Sequence, residues 1–284
     1  FKKMTNFVFL FAALFCALTP LSNAFVVSMT IRSSLKPFSE GKALKVISGI
    51  TNFDETSVRK IARAAELGGA THLDIAASEK LVKLARKVAP SVKICVSAIN
   101  PTAFIPCVEA GADMIELGNF DNFYDQGIDF SAFDVIQMTK ETKQLFPSMP
   151  LSVTIPHKLC LEEQIKLAKE LEKIGVDVIQ TEGKVAAIDT SKEIQSMIEI
   201  AAPAIASTYV LSRSVKIPVI ASSGINEVSA SMALSAGAKG IGVGSAINKL
   251  QNEGEMVLVV RSLAKIAGLK VPDLKTAQSE ISLV

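Results

Sequence analysis

The strongest constraint on the fold is an alternation, repeated eight times after Gly41, of short apolar runs with longer amphipathic segments. Runs of this kind are typical of buried parallel strands, and the segments between them have the periodicity of helices that cover a sheet. The predicted strands are Leu44–Gly49, His72–Ala76, Lys93–Ala98, Met114–Gly118, Leu151–Pro156, Val178–Gly183, Pro218–Ser223 and Gly240–Ser245.

Eight strand–helix units in roughly 230 residues correspond to the size of a closed parallel barrel. The predicted helices include Glu55–Leu67, Leu161–Ile174, Ser229–Ala236 and one around Glu255–Ala267. An open doubly wound sheet would use similar elements, but the count of eight and an internal repeat favour the barrel. We therefore predict a single α/β domain, a (β/α)8 TIM barrel over residues 41–270, with a C-terminal tail over 271–284.

The internal repeat places glycine, a small residue and a polar residue before every second strand. The four copies are Gly69–Asp74, Gly111–Glu116, Gly175–Gln180 and Gly237–Gly242. Glycine at this position predicts a left-handed end to the preceding helix. Because side chains alternate along a strand, the aliphatic Leu73, Ile115, Ile179 and Ile241 should face the helices. The matching Asp74, Glu116 and Gln180 should then point into the barrel.

Polar residues inside a barrel are informative, because a barrel interior is normally filled with branched aliphatic side chains. The same alternation adds to the interior Lys45, Ser97, Ser152, Thr154 and Glu182. Buried carboxylates are costly unless they are paired, hydrated or bound to a ligand. Asp74, Glu116 and Glu182 are therefore candidate acids, bases or metal ligands, and Lys45 a candidate electrostatic group or Schiff-base amine. The alternative for Lys45 is an ion pair with Asp74 that only fixes the strand register.

The ends of the last two strands predict a phosphate site. Each strand runs into glycine beside serine, at Ser223-Gly224 and at Gly244-Ser245. Glycine lets the backbone approach a ligand closely, and its amide groups can then point at one anion. Barrels commonly bind phosphate in the loops after strands seven and eight. We predict that these four residues bind the phosphate of a small molecule.

Other candidate residues lie after the earlier strands. Asn52 and Asn119 follow strands one and four, and with Thr154 and Gln180 they are predicted to bind the rest of a substrate. Residues 118–127 form a long segment suited to a lid over the barrel mouth. His157, just after strand five, is a candidate proton carrier because its ordinary pKa is near neutrality.

Composition excludes several classes of partner. Residues 40–284 contain 26 basic and 28 acidic residues, so no basic surplus exists for nucleic-acid binding. Trp is absent and Tyr occurs twice, which argues against stacking platforms for bases. Cys95, Cys107 and Cys160 show neither a disulfide framework nor the spacing of a zinc site. No metal ligand set is predicted; three inward carboxylates are compatible with Mg²⁺, but no spacing motif indicates it.

The first forty residues have the features of a targeting leader. Residues 7–18 form an apolar run too short for a transmembrane helix, followed by small residues before position 25. We interpret 1–24 as a signal peptide and 25–40, which is basic and rich in hydroxyl groups, as a transit-like segment. The alternatives are an uncleaved anchor and a disordered extension of a secreted protein. The preferred interpretation resembles the bipartite plastid leader of algae with complex plastids, which implies the plastid stroma and no membrane insertion after the leader is removed.

Together these segments resemble the ycf-type family called hypothetical chloroplast reading frame twenty-three, a domain of unknown function. The resemblance lies in Lys42–Gly49 with Asn52-Phe53, Glu109–Asp121, Leu151–His157, Ile179–Gly183 and Gly242–Ala246. It implies a plastid location and an aldolase-type barrel similar to the phosphate-binding and FMN-linked superfamilies. It implies no activity, because the family has no established reaction. Members are often plastid-encoded, whereas the leader here implies nuclear encoding and import.

The sequence thus predicts a barrel that binds a small phosphorylated metabolite and performs lyase, isomerase or synthase chemistry with its inward carboxylates. An FMN-linked oxidoreductase is one alternative, because the FMN phosphate would use the same glycine–serine corners. A non-enzymatic metabolite sensor or assembly partner is the other, and it would need an exposed apolar patch, for example on Met256–Leu263. The substrate and the oligomeric state are not predicted.

Overall fold

Eight parallel strands form one sheet that closes on itself. The computed structural model describes residues 33–183 and 193–273. The strands are β1 Ala43–Gly49, β2 His72–Ala76, β3 Lys93–Ala98, β4 Met114–Leu117, β5 Leu151–Ile155, β6 Val178–Thr181, β7 Val219–Ile220 and β8 Gly240–Val243. They pair in the order β7-β6-β5-β4-β3-β2-β1-β8. An isolated bridge between Ala221 and Ile241 joins the two ends of this order, so the predicted barrel is confirmed.

Helices cover the outside of the sheet. The first helix, α1, spans residues 33–39 and precedes β1. The others are α2 Glu55–Gly68, α3 Glu79–Val88, α4 Ile105–Glu109, α5 Asp121–Tyr124, α6 Ala132–Leu145, α7 Leu161–Ile174, α8 Glu193–Leu211, α9 Ala230–Ser235, α10 Ser245–Asn248 and α11 Glu253–Ile266, with a 3-10 turn over Pro101–Phe104. The predicted helix Leu161–Ile174 matches α7 at both ends, and the other predicted helices differ by one or two residues at an end.

The internal repeat has two structural roles. Gly69, Gly111, Gly175 and Gly237 all have φ between 83° and 114°, the left-handed conformation that the sequence predicts after a helix. The polar residue that follows then binds the backbone of the preceding strand. Asp113 Oδ2 accepts from the N–H of Ile94 at 2.8 Å, and Asp177 Oδ2 accepts from that of Leu151 at 2.9 Å. The repeat therefore ends a helix and fixes the start of a neighbouring strand.

The core has two parts on opposite sides of the sheet. Leu73, Ile115, Ile179 and Ile241 belong to the large cluster between the strands and the helices, as the alternation predicts. A second, small cluster lies inside the barrel and consists of Phe38, Ala43, Cys95, Met114, Val178 and Ile220. Cys95 is thus a buried apolar group, and burial raises the pKa of its thiol.

The helix α1 is an unpredicted part of the folded domain. Its Phe38 is fully buried in the small interior cluster, and the carbonyl of Ser34 contacts His72 Nε2 at 3.0 Å. The composition of residues 25–40 predicts a leader segment, but this prediction is wrong for 33–40, which pack against the barrel, so the folded unit begins no later than residue 33. The rest of the predicted leader, 1–32, and most of the predicted tail, 274–284, lie outside the described residues.

Several strands end earlier than predicted, and the difference creates the loops of the mouth. The predicted strand ends Gly118, Pro156, Gly183, Ser223 and Ser245 all lie outside the sheet. At Ser223 the backbone has φ 76°, a conformation that residues other than glycine rarely adopt and that lies outside the strand region. These residues are released from the ladder and surround its carboxyl edge.

Helix α11 does not present the exposed apolar patch that an assembly partner would need. Its Met256, Val257, Val260 and Leu263 are buried against the barrel, so the exposed apolar surface is reduced mainly to Leu258. In the described parts of the chain, one stretch, Ile194–Leu211 of α8, has the length and mean hydropathy (1.3) of a membrane-crossing helix, and a third of it is buried.

Candidate functional site

A cavity of about 420 Å³ opens at the carboxyl ends of the strands, which is where the sequence predicts the site. Residues from the ends of β1, β4, β5, β6, β7 and β8 converge on it. The predicted residues that line it are Asn52, Asn119, Thr154, Gln180, Glu182, Ser223, Gly224, Gly244 and Ser245. The single cavity therefore brings together the two glycine–serine corners and most of the predicted polar side chains.

The corner at Ser223-Gly224 has an unusual backbone. Both residues are left-handed, with φ 76° and 73°, and the Ser223 hydroxyl donates to the carbonyl of Gly183 at 2.8 Å. A Cβ at position 224 would lie 2.5 Å from the backbone oxygen of Ile200, so this position requires glycine. Among the described residues, no hydrogen-bond acceptor is recorded for the N–H groups of Ser223 and Gly224. Strained backbone of this kind is found at ligand sites.

Directly beneath the cavity lies a layer of buried charges. Lys45 Nζ forms a very short ion pair with Glu116 and lies 3.7 Å from Asp74 Oδ2, and all three side chains are at most 1% exposed. Burial by itself lowers the pKa of Lys45, but the charges of Glu116 and Asp74 outweigh it and raise the pKa. Lys45 is therefore a cation that neutralises two acids. The predicted Schiff-base role, which needs a neutral amine, does not fit this environment.

Asp74 retains free hydrogen-bonding capacity in this layer. Its Oδ1 accepts from the Ser97 hydroxyl at 2.6 Å, whereas its Oδ2 has no hydrogen-bond partner among the described residues. Burial raises the pKa of Asp74 to about 6, against the opposing effect of Lys45. The Asn119 amide lies near enough to lower that pKa, although its Nδ2 also lacks a hydrogen-bond partner in the described chain.

Gln180 connects the charged layer to the cavity. Its Nε2 donates to Glu116 Oε1 at 2.7 Å and to Thr154 Oγ1 at 3.2 Å. The carboxylate can only accept, so these bonds fix which end of the amide carries nitrogen. Its Oε1 is buried and has no partner within the described residues. Thr154 is itself tightly placed, since a Cβ at Gly118 would lie 2.0 Å from its hydroxyl oxygen.

Glu182 holds the mouth of the barrel together. Its Oε1 accepts from the N–H of Asp121 at 2.8 Å, and its Oε2 accepts from the Tyr124 hydroxyl at 2.9 Å. The same Oε2 lies 3.1 Å from the N–H of His157 and 3.0 Å from its Nδ1. The predicted lid segment is thus anchored to β6, and its α5 lies over the edge of the cavity. His157 contacts Glu182 beside the cavity rather than lining it.

Sequence reasoning missed several residues that line the cavity: Ser48, Asp121, Asn248 and Lys249. Asp121 is the most informative, because burial and the nearby Glu182 raise its pKa to about 6. It is the last residue of the segment Glu109–Asp121 and lies within the predicted lid, but no site role was predicted for it, because its place at the cavity depends on Glu182 from a distant strand. Lys249 supplies a cation beside the Gly244-Ser245 corner, and only its proximity to that corner along the chain indicates it.

The lining determines which groups the cavity favours. Ile47 provides the one apolar side chain among the described lining residues, and none of them is aromatic. A flavin ring would therefore find little apolar or stacking contact with these residues. In the described ranges, no cluster of three His, Cys, Asp or Glu side chains has the geometry for a metal ion. Asp74 and Glu116 are instead compensated by Lys45.

The family model and the similar proteins both indicate one family. The model of a protein family of unknown function, DUF561, matches residues 29–271. An uncharacterized protein ycf23 of Cyanophora paradoxa is 46% identical over 223 residues, covering 78% of this chain and 91% of that protein. The ycf23 protein of Porphyra purpurea is 40% identical over 233 residues, covering 82% and 88%. The family match includes α1, which agrees with its packing in the barrel.

Solved structures with the same fold are aldolase-type barrels. A thiamine phosphate pyrophosphorylase from Pyrococcus furiosus has a TM-score of 0.53 at 23% identity, covering 81% of this chain and 96% of its own. An aldolase, QR15, has a TM-score of 0.55 at 19% identity, covering 86% and 98%. A geranylgeranylglyceryl phosphate synthase from Thermoplasma acidophilum, bound to sn-glycerol-1-phosphate, has a TM-score of 0.54 at 13% identity, covering 84% and 97%. At these identities the likeness concerns the fold.

Proposed function

This chain belongs to the DUF561 family, whose function is unknown, and we propose its activity from its own cavity rather than by transfer from a relative. The protein binds a small phosphorylated metabolite at the carboxyl ends of its strands. It then performs lyase, isomerase or synthase chemistry, in which buried carboxyl groups transfer protons. Proton transfer by a positioned acid or base is common to these reaction classes, and it is most effective when the pKa of that group lies near the working pH.

One observation carries the binding proposal: the two glycine–serine corners face the same cavity. The left-handed Ser223 and Gly224 leave their N–H groups without a recorded acceptor in the described chain, and Ser245 and Lys249 line the same space. Free amides and an ammonium group together suit a phosphate, which is rich in acceptor oxygens and negatively charged. Barrels often use these two loops for this purpose.

The proton-transfer proposal rests on two aspartates. Asp121 lines the cavity and Asp74 lies just beneath it, and for both the pKa is raised to about 6. A group with a pKa near the working pH exchanges protons most effectively. Glu116 and Glu182 act as positioning residues in this scheme. Glu116 holds Lys45 and Gln180, and Glu182 holds His157 beside the cavity.

Anion binding is tested by placing a negative charge at one corner. We expect inorganic phosphate to raise the Tm of the wild-type protein, by an amount equivalent to about 2.7 kcal/mol at a hundred times its dissociation constant. Ser245→Asp should abolish this rise, because the new carboxylate repels the anion. Ser231→Asp in α9 is the matched control: it adds the same charge at an exposed serine outside the cavity lining and should retain the rise. Equal responses of both variants would contradict the proposal.

We also place the protein in the plastid stroma. Its relatives carry the ycf name given to chloroplast reading frames, and the first 32 residues have leader-like composition. A fusion of residues 1–32 to a fluorescent protein should accumulate inside plastids. Secretion of that fusion would contradict this location.

A further inference from the structure

The cavity floor carries hydrogen-bonding groups that the protein leaves unused. Gln180 Oε1 and Asn119 Nδ2 are buried and have no partner among the described residues, and both residues line the cavity. Leaving a buried polar group unsatisfied costs about 1–3 kcal/mol, so native proteins rarely retain such groups without a reason. Here one acceptor and one donor without a partner belong to two side chains of the same cavity lining.

The direction of these groups is fixed by the charged layer. Gln180 gives both of its N–H donors to Glu116 and Thr154, so its oxygen cannot turn to meet them. Asn119 is in the left-handed conformation, with φ 56°; its own backbone N–H contacts the Thr154 hydroxyl at 3.4 Å, and its side-chain amide lies near Asp74 of the charged layer. The Gln180 amide is therefore oriented before a ligand arrives, which reduces the ordering cost of binding.

The rest of the lining sets the polarity of that ligand. Small-molecule sites are usually lined mainly by apolar and aromatic side chains. In this cavity the described lining residues other than Ile47 carry hydroxyl, amide, carboxylate or ammonium groups, or are glycines. A prenyl chain, a nucleobase or a flavin ring would desolvate these groups without replacing their hydrogen bonds. A chain that carries a hydroxyl group on most of its carbons would replace them.

We infer that the cavity accepts a phosphomonoester of a short polyhydroxylated chain. Its phosphate lies at the glycine–serine corners, one of its hydroxyl groups donates to Gln180 Oε1, and a second hydroxyl or carbonyl oxygen accepts from Asn119 Nδ2. The inference rests on the proposed function for its phosphate end, and it adds the chemical class of the remainder.

The test compares ligands that share a phosphate and differ in the chain. Binding of inorganic phosphate, n-butyl phosphate and ribose 5-phosphate to the full chain is measured by calorimetry. We expect ribose 5-phosphate to bind at least tenfold more tightly than butyl phosphate. Equal affinity of the two esters, with both bound, overturns this inference and leaves the phosphate proposal standing. Failure of all three to bind overturns the proposed function itself.

Two variants test whether Gln180 and Asn119 cause the preference for ribose 5-phosphate over butyl phosphate. Gln180→Met removes the free acceptor at similar size, and Asn119→Gly removes the free donor at a position whose positive φ suits glycine. Each should weaken ribose 5-phosphate about tenfold and leave butyl phosphate unchanged. The two are independent, so the second remains decisive if the first disturbs Glu116. If Asn119→Gly weakened the binding of both esters equally, the result would contradict recognition of the hydroxyl groups by Asn119.

Discussion

At the scale of single residues, His72 shows how burial fixes a protonation state. Its ring lies between the Thr71 hydroxyl and the Ser34 carbonyl and packs against Phe38, with ring centroids 4.6 Å apart. Burial lowers the pKa of His72 from 6.5 to about 3, so the ring is neutral in the folded protein. His72 lies beside Phe38 at the barrel end opposite the cavity and does not line the cavity.

This depressed pKa predicts a pH dependence of stability. Between pH 6.5 and about 3 the unfolded chain binds a proton at His72 that the folded chain does not bind. Stability is therefore lost as the pH falls through this window, by up to about 1.4 kcal/mol per pH unit from this residue. His72→Gln should show a correspondingly shallower loss in urea unfolding at pH 6.5, 5.5 and 4.5. Identical slopes for the two proteins would contradict a neutral buried ring.

Lys45 predicts a coupled effect on stability. Lys45→Met leaves Glu116 and Asp74 buried without their cation, and breaking a buried pair in this way costs about 3–5 kcal/mol. Adding Glu116→Gln removes one of the uncompensated charges, so the double variant should be more stable than the sum of the single effects implies. Urea unfolding of the four proteins gives the coupling energy. Simple additivity would mean that the pair does not interact.

At the scale of elements, Glu182 joins three segments that the sequence separates widely. It follows β6, and it binds Asp121 and Tyr124 of α5 and His157 after β5. The sequence predicts the loop after β4 as a lid because of its length and Tyr124. It does not predict the anchor, because nothing local to either segment records the contact. The element that covers the cavity therefore depends on one carboxylate.

The contacts of Glu182 predict that α5 will open locally when the charge of Glu182 is removed. Glu182→Gln retains the shape but weakens hydrogen bonds to a charged acceptor, each worth about 1.5–3 kcal/mol. We expect faster hydrogen exchange at residues 119–127 and a lower Tm. Tyr124→Phe, which removes one of the four contacts, should give the same change at smaller size. Unchanged exchange at the N–H of Asp121 in Glu182→Gln would contradict the anchoring role.

The elements themselves were largely predictable, and the reason is local. Glycine after a helix and alternation within a strand determine where units begin and which faces are buried, as Gly175 and Ile179 show. The last residues of the strands were less predictable: Ser223 leaves the ladder where its hydroxyl meets the Gly183 carbonyl of another unit, and Ser245 already begins α10. Asp121 and Lys249 were missed for the same reason: their place at the cavity follows from the closure of the barrel.

At the scale of the whole molecule, the interior is arranged in three levels along the barrel axis. Phe38 and the small apolar cluster occupy one end, the layer of Lys45, Asp74 and Glu116 lies in the middle, and the cavity opens at the other end. The helix α1 contributes Phe38, so the segment before β1 completes the barrel. The sequence gives no signal for this, because α1 follows the leader-like residues without a break.

The small apolar cluster at the barrel end opposite the cavity predicts a large loss of stability when its one aromatic ring is removed. Phe38 is fully buried, and Phe38→Ala should destabilise the protein by about 3–5 kcal/mol in urea unfolding. Phe133→Ala is the matched control, since that ring is 67% exposed, and it should change stability by less than about 0.5 kcal/mol. Similar small effects in both variants would mean that α1 is dispensable for the barrel.

Under the proposed function, the filled end of the barrel has a consequence for turnover. Phe38 and its neighbours fill the barrel end opposite the cavity, so within the described residues a substrate and its product would use the same opening at the carboxyl ends of the strands. The product must then leave through this opening before the next substrate can bind. Any end product that keeps its anionic group should then act as a competitive inhibitor of its own formation.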